Sequence, residues 1–159
     1  MNFRIGSGYD VHRTRPGNGV YLGGVLIETD ISLVGHSDAD VLIHAICDAV
    51  YGALACGDIG QHFPDTLAEN KGRPSADFLK HAVGLLDEKG YAISNLDATI
   101  ICEKPRISPH RETIRKNLST LMNLDLDQVG IKATTTEKLG FTGRGEGIAA
   151  MASVLIFRK

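Results

Sequence analysis

Val41-Leu42, Ala45-Ile46, Ala49-Val50 and Ala53-Leu54 are apolar pairs that recur every four residues. An α-helix brings such pairs onto one stripe, because residues three and four apart share a face. The spacing predicts a helix whose apolar side must be buried against a partner layer. Ser37 or Asp38 suits the N-cap and Gly57 the stop. On the opposite side Asp40, His44 and Asp48 line up as a polar ridge.

The rest of the chain supplies that layer. Phe3 to His12 reads as a strand interrupted by Gly6 and Gly8, and Val20-Tyr21-Leu22 and Val25-Leu26-Ile27 flank Gly23-Gly24 as a tight hairpin. Ser75 to Lys89 forms a second helix, with Leu79, Ala82, Val83 and Leu86 inward and Gly90 beyond its end. Ala98 to Cys102 reads as a strand. Ser108-Pro109 opens a third helix with Ile114, Leu118, Leu121 and Met122 on one stripe. Val129 to Ala133 and Ile148 to Phe157 are the closing strands. The expected fold is α/β (α+β): a single mixed four-stranded sheet plus a hairpin, with the helices layered on one face, in one domain over residues 1–159.

Composition narrows the function. A net charge of −2 gives no basic excess for nucleic acid, and no apolar run approaches the ~20 residues that span a bilayer. The N-terminus enters a strand without a signal or transit pattern, so a cytoplasmic location, or a mature form already trimmed, is expected. Cys47, Cys56 and Cys102 are scattered without a C-x-x-C pair, which supports neither a disulfide framework nor a cysteine zinc site.

Two constellations carry chemistry. On a strand, Asp10 and His12 point the same way, and His44 from the following helix can join them. Three protein ligands leave a coordination position open, the pattern of a catalytic metal. Two histidines and a carboxylate suit zinc and equally non-haem iron(II). A solvated helix surface would also account for Asp40, His44 and Asp48; the company of Asp10 and His12 favours a ligand role for His44.

The second is Lys132 to Gly145, rich in hydroxyls, glycines and cations, which reads as a phosphate site. Thr134, Thr135 and Thr136 offer uncharged donors, Glu137 a hard ligand for a second cation, and Arg144 a bidentate fork between glycines.

Gly8-Tyr9-Asp10-Val11-His12, His36-Ser37-Asp38-Ala39-Asp40 with His44 and Asp48, Gly57-Asp58-Ile59-Gly60, Phe63-Pro64-Asp65-Thr66, and Lys132 to Gly147 follow one another along nearly the whole chain. Together they resemble the 2-C-methyl-D-erythritol 2,4-cyclodiphosphate synthase family of non-mevalonate isoprenoid biosynthesis. The resemblance implies a homotrimer with active sites between subunits. It implies that 4-diphosphocytidyl-2-C-methyl-D-erythritol 2-phosphate is cyclised with release of CMP. It places zinc on Asp10, His12 and His44, and a second divalent ion, magnesium or manganese, with help from Glu137.

The implied substrate contacts include Val11 and Ser37 beside the metal. Asp58, Ile59 and Gly60, with Phe63, Pro64, Asp65, Thr66 and Leu67, are assigned to the erythritol. Cys102, Glu103, Lys104, Pro105, Arg106, Ile107 and Ser108, with Thr134, Thr135 and Thr136, are assigned to the cytidine and its phosphates. His36 and Thr135 match positions that steady the transition state. Phe141 and Arg144 match positions facing a cavity on the trimer axis where isoprenoid diphosphates lodge in relatives. Ser7, Ala39 and Leu67 depart from common family residues, respectively His, Gly and an acidic residue. Two rival functions share parts of this pattern: a non-haem iron oxygenase on the same three ligands, and a metal-stabilised module that binds isoprenoid diphosphates without turnover.

Overall fold

The computed structural model describes residues 2–64 and 66–159. Strand β1 (Phe3–Pro16) sorts its side chains by alternation: Gly6, Gly8, Asp10 and His12 turn towards the helices, while Ile5, Tyr9 and Val11 face away and are exposed. Strands β2 (Gly19–Leu22) and β3 (Val25–Glu28) form the hairpin, with Gly23 and Gly24 at φ 62° and 76°. Two successive positive φ values are what a two-residue turn between twisted strands demands.

After β4 (Ile31–Leu33) the chain runs through α1 (Val41–Leu54), the single turn α2 (Ile59–His62), α3 (Ser75–Glu88), β5 (Tyr91–Ile101), α4 (Arg111–Met122), β6 (Val129–Thr134), the single turn α5 (Gly140–Gly143) and β7 (Gly147–Arg158). The sheet order is β4-β1-β7-β5-β6. Strand β1 is antiparallel to β4 and β7, β7 is antiparallel to β5, and β5 is parallel to β6. Helices α1, α3 and α4 cover one face. The sheet therefore has five strands rather than the four expected. Ile31-Ser32-Leu33 pairs with Thr14 to Pro16, but three residues with one buried side chain are too short to show a period.

Helix α1 also differs from its expected amphipathic form. Ile43, Cys47 and Tyr51 are as fully buried as the apolar pairs, because α1 lies between the sheet and α3. Burying each large side chain contributes about 1.5–3 kcal/mol, so α1 is the main anchor of the core. The polar ridge is broken at its first member: Asp40 is completely buried. It is Asp40, not Ser37 or Asp38, that caps α1, accepting from the Ile43 amide at 3.0 Å and the hairpin amides of Gly23 and Gly24 at 2.9 and 2.6 Å. The helix ends at Ala55 in the left-handed conformation, before Gly57. Helix α4 begins at Arg111, leaving Ser108 and Pro109 in the preceding turn.

Candidate metal centre

The glycine stripe of β1 explains how three polar side chains meet. With no Cβ at Gly6 and Gly8, the backbone of α1 settles directly on the strand. Further along the same stripe come Asp10 and His12, and α1 presents His44 to them. Asp10 Oδ2 lies 3.0 Å from His12 Nε2 and 3.1 Å from His44 Nδ1, and the two nitrogens are 3.1 Å apart. Among the described residues, this is the single group of three or more His, Cys, Asp or Glu side chains gathered closely enough to hold one ion.

The outer nitrogen of each ring is already engaged. His12 Nδ1–H donates to the Val34 carbonyl at 2.8 Å, and His44 Nε2 faces the hydroxyls of Ser75 and Ser37 at 2.9 and 3.2 Å. The inner face thus presents two ring lone pairs and a carboxylate oxygen to one point, an arrangement that needs a shared proton or a cation. Burial alone would raise the Asp10 pKa; when the inner nitrogens of His12 and His44 carry protons in place of a metal, their hydrogen bonds and positive charge outweigh it and hold Asp10 at about 2. Burial opposes the charged form of His12, but the Asp10 bond and charge raise its pKa above the ordinary histidine value. This donor set fits a divalent metal.

The centre opens into a cavity of about 490 Å³ lined also by His36, Ser37, Ile59, Gly60, Phe63, Asn70 and Phe78. Of the expected contacts, His36, Ser37, Ile59, Gly60 and Phe63 therefore meet at the metal centre. Asp58 caps α2, accepting from the Gln61 amide at 2.9 Å. The Pro64 carbonyl accepts from Asn70 Nδ2 at 3.0 Å, while Thr66 and Leu67 are exposed. Asp65 lies outside the described residues. Val11 points to the opposite side of the sheet, beside Arg13, Phe141, Glu146 and Gly147.

The phosphate-type run sits elsewhere. The Cys102 amide donates to the Thr134 carbonyl at 3.1 Å and the Thr136 amide to Glu103 Oε1 at 3.2 Å, joining the Cys102–Ser108 loop to the threonines. Within that loop Cys102 and Ile107 are buried, and Arg106 Nε donates to Ser108 Oγ at 3.2 Å. The three hydroxyls differ. Thr134 donates to the Thr135 carbonyl at 3.0 Å, and Thr136 bonds the Leu139 carbonyl and the Thr142 hydroxyl at 2.7 and 2.8 Å. Thr135 Oγ1 accepts from the Glu137 amide at 3.3 Å, and among the described residues no acceptor takes its proton.

Glu137 is exposed on a left-handed turn at φ 54°. The Arg144 fork is closed on Glu146, at 2.8 and 3.2 Å. Glu103, Lys104, Lys138 and Arg144 line a second cavity of about 360 Å³, and among the described residues none lines both it and the metal cavity.

Sequence reasoning missed three participants. Ser75, read as a helix start, touches His44; Asp38 reaches Ser75; and Asp48 accepts from the Ile59 amide at 2.7 Å. Burial raises the Asp48 pKa, with the nearby Asp58 and Asp10 adding to the effect against the Ile59 bond. The first two contacts span 31 and 37 residues, and the third joins α1 to the next turn 11 residues on, so no helical or strand period signals any of them.

The YgbB family matches residues 3–157. A relative from Xanthomonas axonopodis pv. citri named 2-C-methyl-D-erythritol 2,4-cyclodiphosphate synthase is 54% identical over 158 residues, 99% of this chain and 95% of the relative. The bifunctional IspDF from Campylobacter jejuni superposes with a TM-score of 0.95 at 37% identity, covering 99% of this chain and 43% of that one. Plasmodium falciparum IspF, solved as a CDP complex, superposes with a TM-score of 0.88 at 38% identity, covering 99% and 97%.

Proposed function

This chain belongs to the YgbB family, and from that premise we infer its reaction. It is a 2-C-methyl-D-erythritol 2,4-cyclodiphosphate synthase, converting 4-diphosphocytidyl-2-C-methyl-D-erythritol 2-phosphate to 2-C-methyl-D-erythritol 2,4-cyclodiphosphate and CMP. The carrying observation is the convergence of Asp10 Oδ2, His12 Nε2 and His44 Nδ1 at the wall of a cavity large enough for a phosphorylated sugar alcohol.

In the proposed reaction an oxygen of the 2-phosphate attacks the β-phosphorus and the bond to CMP breaks. A phosphate monoester is largely ionised near neutral pH, with a second pKa of about 6, so the chain needs no strong base at the nucleophile. Asp10, His12 and His44 would hold zinc and Glu137 a magnesium or manganese ion, which when bound polarise phosphoryl oxygens and offset charge on the leaving CMP. The chain's own task is to fold a flexible substrate so that its ends meet, a proximity effect of up to ~7–11 kcal/mol in ideal cases. We assign the erythritol to Asp58, Ile59, Gly60 and the Phe63–Leu67 loop, and the cytidine and its phosphates to the Cys102–Ser108 loop and the threonines. His36 lines the metal cavity, and Thr135 has a hydroxyl proton to donate to developing charge.

A homotrimer with sites between subunits reconciles these assignments with the two separate cavities. One subunit would contribute the metal half and its neighbour the nucleotide half. The uncovered sheet face supports such an assembly: Ile5, Tyr9 and Met151 are 74%, 53% and 54% exposed, on adjacent strands β1 and β7. Of the two residues expected at an axial cavity, Phe141 lines a hollow of about 280 Å³ on that side with Arg13 and Glu146, while Arg144 reaches it only through its pair with Glu146; we assign this hollow to an isoprenoid diphosphate on the trimer axis. We also place the enzyme in the cytoplasm; Cys47, Cys56 and Cys102 are all free thiols, which suits a reducing compartment.

The test is CMP release and phosphorus NMR on the cytidine diphospho substrate with zinc and magnesium, beside His44→Ala. Stoichiometric CMP with a cyclic diphosphate signal, both lost in the variant, is the expected result. Zinc-loaded, folded protein that releases no CMP would instead favour the module that binds isoprenoid diphosphates without turnover.

A further inference from the structure

Ser75 is the first residue of α3 and is completely buried. Its hydroxyl lies between His44 Nε2, at 2.9 Å, and Asp38 Oδ1, with which it makes a close hydrogen bond. Asp38 Oδ2 accepts from the Ser75 amide at 3.1 Å, so the carboxylate grips both donors of this residue. Ser37 Oγ stands 3.2 Å from His44 Nε2 and 3.4 Å from Ser75 Oγ, and accepts from the Ala39 amide at 3.1 Å.

Hydrogen-bond counting gives this cluster a direction. A hydroxyl has one proton and two lone pairs, and a carboxylate only accepts. The Ser75 proton therefore goes to Asp38, and a lone pair of Ser75 Oγ faces His44 Nε2. That nitrogen must be the one carrying the ring proton. His44 Nδ1 is left with its lone pair directed at Asp10 and His12, as a metal ligand requires.

We propose that Asp38 and Ser75 are positioning residues for the metal centre, acting as a relay that fixes the tautomer of His44. The proposal rests on the reading of Asp10, His12 and His44 as the metal site. His12 is held by a shorter version of the same device, its Nδ1–H on the Val34 carbonyl. The His44 version ties the ligand to the start of α3, so it is formed only when α1, α3 and the loop before α1 are assembled.

Asp38→Asn tests the direction of the relay. The asparagine oxygen can still accept from the Ser75 amide, at 3.1 Å the closer of the two backbone donors on this carboxylate, while its NH₂ takes the place of Oδ1, gives up the longer 3.3 Å contact with the Asp40 amide and donates to Ser75 Oγ. The Ser75 proton then turns to His44 Nε2, and the ring proton moves to Nδ1, where it blocks the metal. Ser75→Ala removes the hydroxyl but keeps the Ser75 amide bond to Asp38, so it preserves the start of α3.

The measurements are ¹⁵N–¹H correlation spectra of the histidine rings in metal-free protein, and zinc affinity by competition with a chelator. The wild type should show His44 protonated at Nε2, and Asp38→Asn at Nδ1, with His12 unchanged. Zinc affinity should fall by about 10–100-fold in both variants, the usual cost of losing an outer partner of a metal-bound histidine. If Asp38→Asn does not fold, Ser75→Ala decides alone through its zinc affinity. An Nδ1 proton on wild-type His44, an unchanged tautomer in Asp38→Asn, or wild-type zinc affinity in Ser75→Ala would each overturn the relay. A wild type that binds no zinc would overturn the metal centre itself, and the ring spectra keep the two failures apart.

Discussion

Gly8 lies so close to Ala45 that a Cβ added to it would sit 2.0 Å from the Ala45 carbonyl oxygen and 2.8 Å from the Ala49 amide nitrogen. Gly6 stands in the same relation to the next turn, at 1.9 Å from the Ala49 carbonyl oxygen. Both obstacles are helix backbone, which cannot swing aside. The approach of α1 to β1 is thus set by two missing side chains, and that approach brings His44 to Asp10 and His12.

Gly8→Ala should accordingly lift α1 from the strand. Overpacking of this kind costs about 1–3 kcal/mol, and the displaced His44 should weaken zinc binding at least about tenfold. Urea unfolding and zinc titration check both. Gly84, inside α3 with nothing within 4 Å of an added Cβ, is the contrast. There alanine should stabilise by about 0.5–1 kcal/mol and leave zinc binding alone. Similar effects at the two glycines would refute the account of α1 seating.

What the sequence revealed follows from the range of the interactions. The gathering of Asp10, His12 and His44 was legible because Asp10 and His12 share a strand face by alternation and His44 falls on a helix of unmistakable period. Asp40 was misread for the complementary reason: by period it belongs with His44 and Asp48, and only the docking of the hairpin amides onto it, from 16 and 17 residues away, makes it a buried cap. The fifth strand and the single turns α2 and α5 are too short to carry a period. Ala39 occupies a left-handed position at φ 56°, a backbone reason for the expectation of glycine there. The free proton of Thr135 depends on where its neighbours' hydroxyls bond, so the three threonines look alike until the loop is folded.

Asp48 should act on substrate binding through α2. Its carboxylate holds the Ile59 amide, and Ile59 and Gly60 line the metal cavity. Asp48→Ala leaves that amide without its partner, at a cost of about 1–3 kcal/mol, and frees the turn to drift. KM for CMP release should rise more than kcat falls, and Asp48→Asn, which keeps an acceptor oxygen, should restore most of the affinity. A loss confined to kcat would place Asp48 in the chemistry instead.

Subunit mixing tests the shared site. Thr135→Ala should lower turnover more than affinity, and His44→Ala should abolish activity. Mixed in equal amounts and reassembled, the two variants form some interfaces with an intact His44 half and an intact Thr135 half. Random assembly of a cyclic trimer makes about a quarter of the sites fully intact, so activity should recover to about that fraction of wild type. If each site were built within one subunit, mixing would give only the average of the two variants.

His81 should make the packing around α2 sensitive to acid. The Tyr51 hydroxyl donates to His81 Nδ1 at 2.9 Å, and the Tyr51 ring stacks on His62 with centroids 4.0 Å apart, so α1, α2 and α3 meet at one tyrosine. Burial lowers the His81 pKa below 6.5, and His62 and Arg73 add to this against the pull of Glu88. The folded protein therefore binds this proton less readily than the unfolded chain. The resulting stability is complete above about pH 6.5 and is lost as pH falls through the lowered folded value. His12, whose pKa is raised, contributes with the opposite sign, so the wild-type profile alone does not isolate His81. His81→Gln offers Tyr51 an amide oxygen that does not titrate. In metal-free protein the wild type's Tm, relative to this variant, should be highest near pH 8 and drop by pH 5. A Tm difference that stays constant over that range would show that His81 takes no part in acid sensitivity.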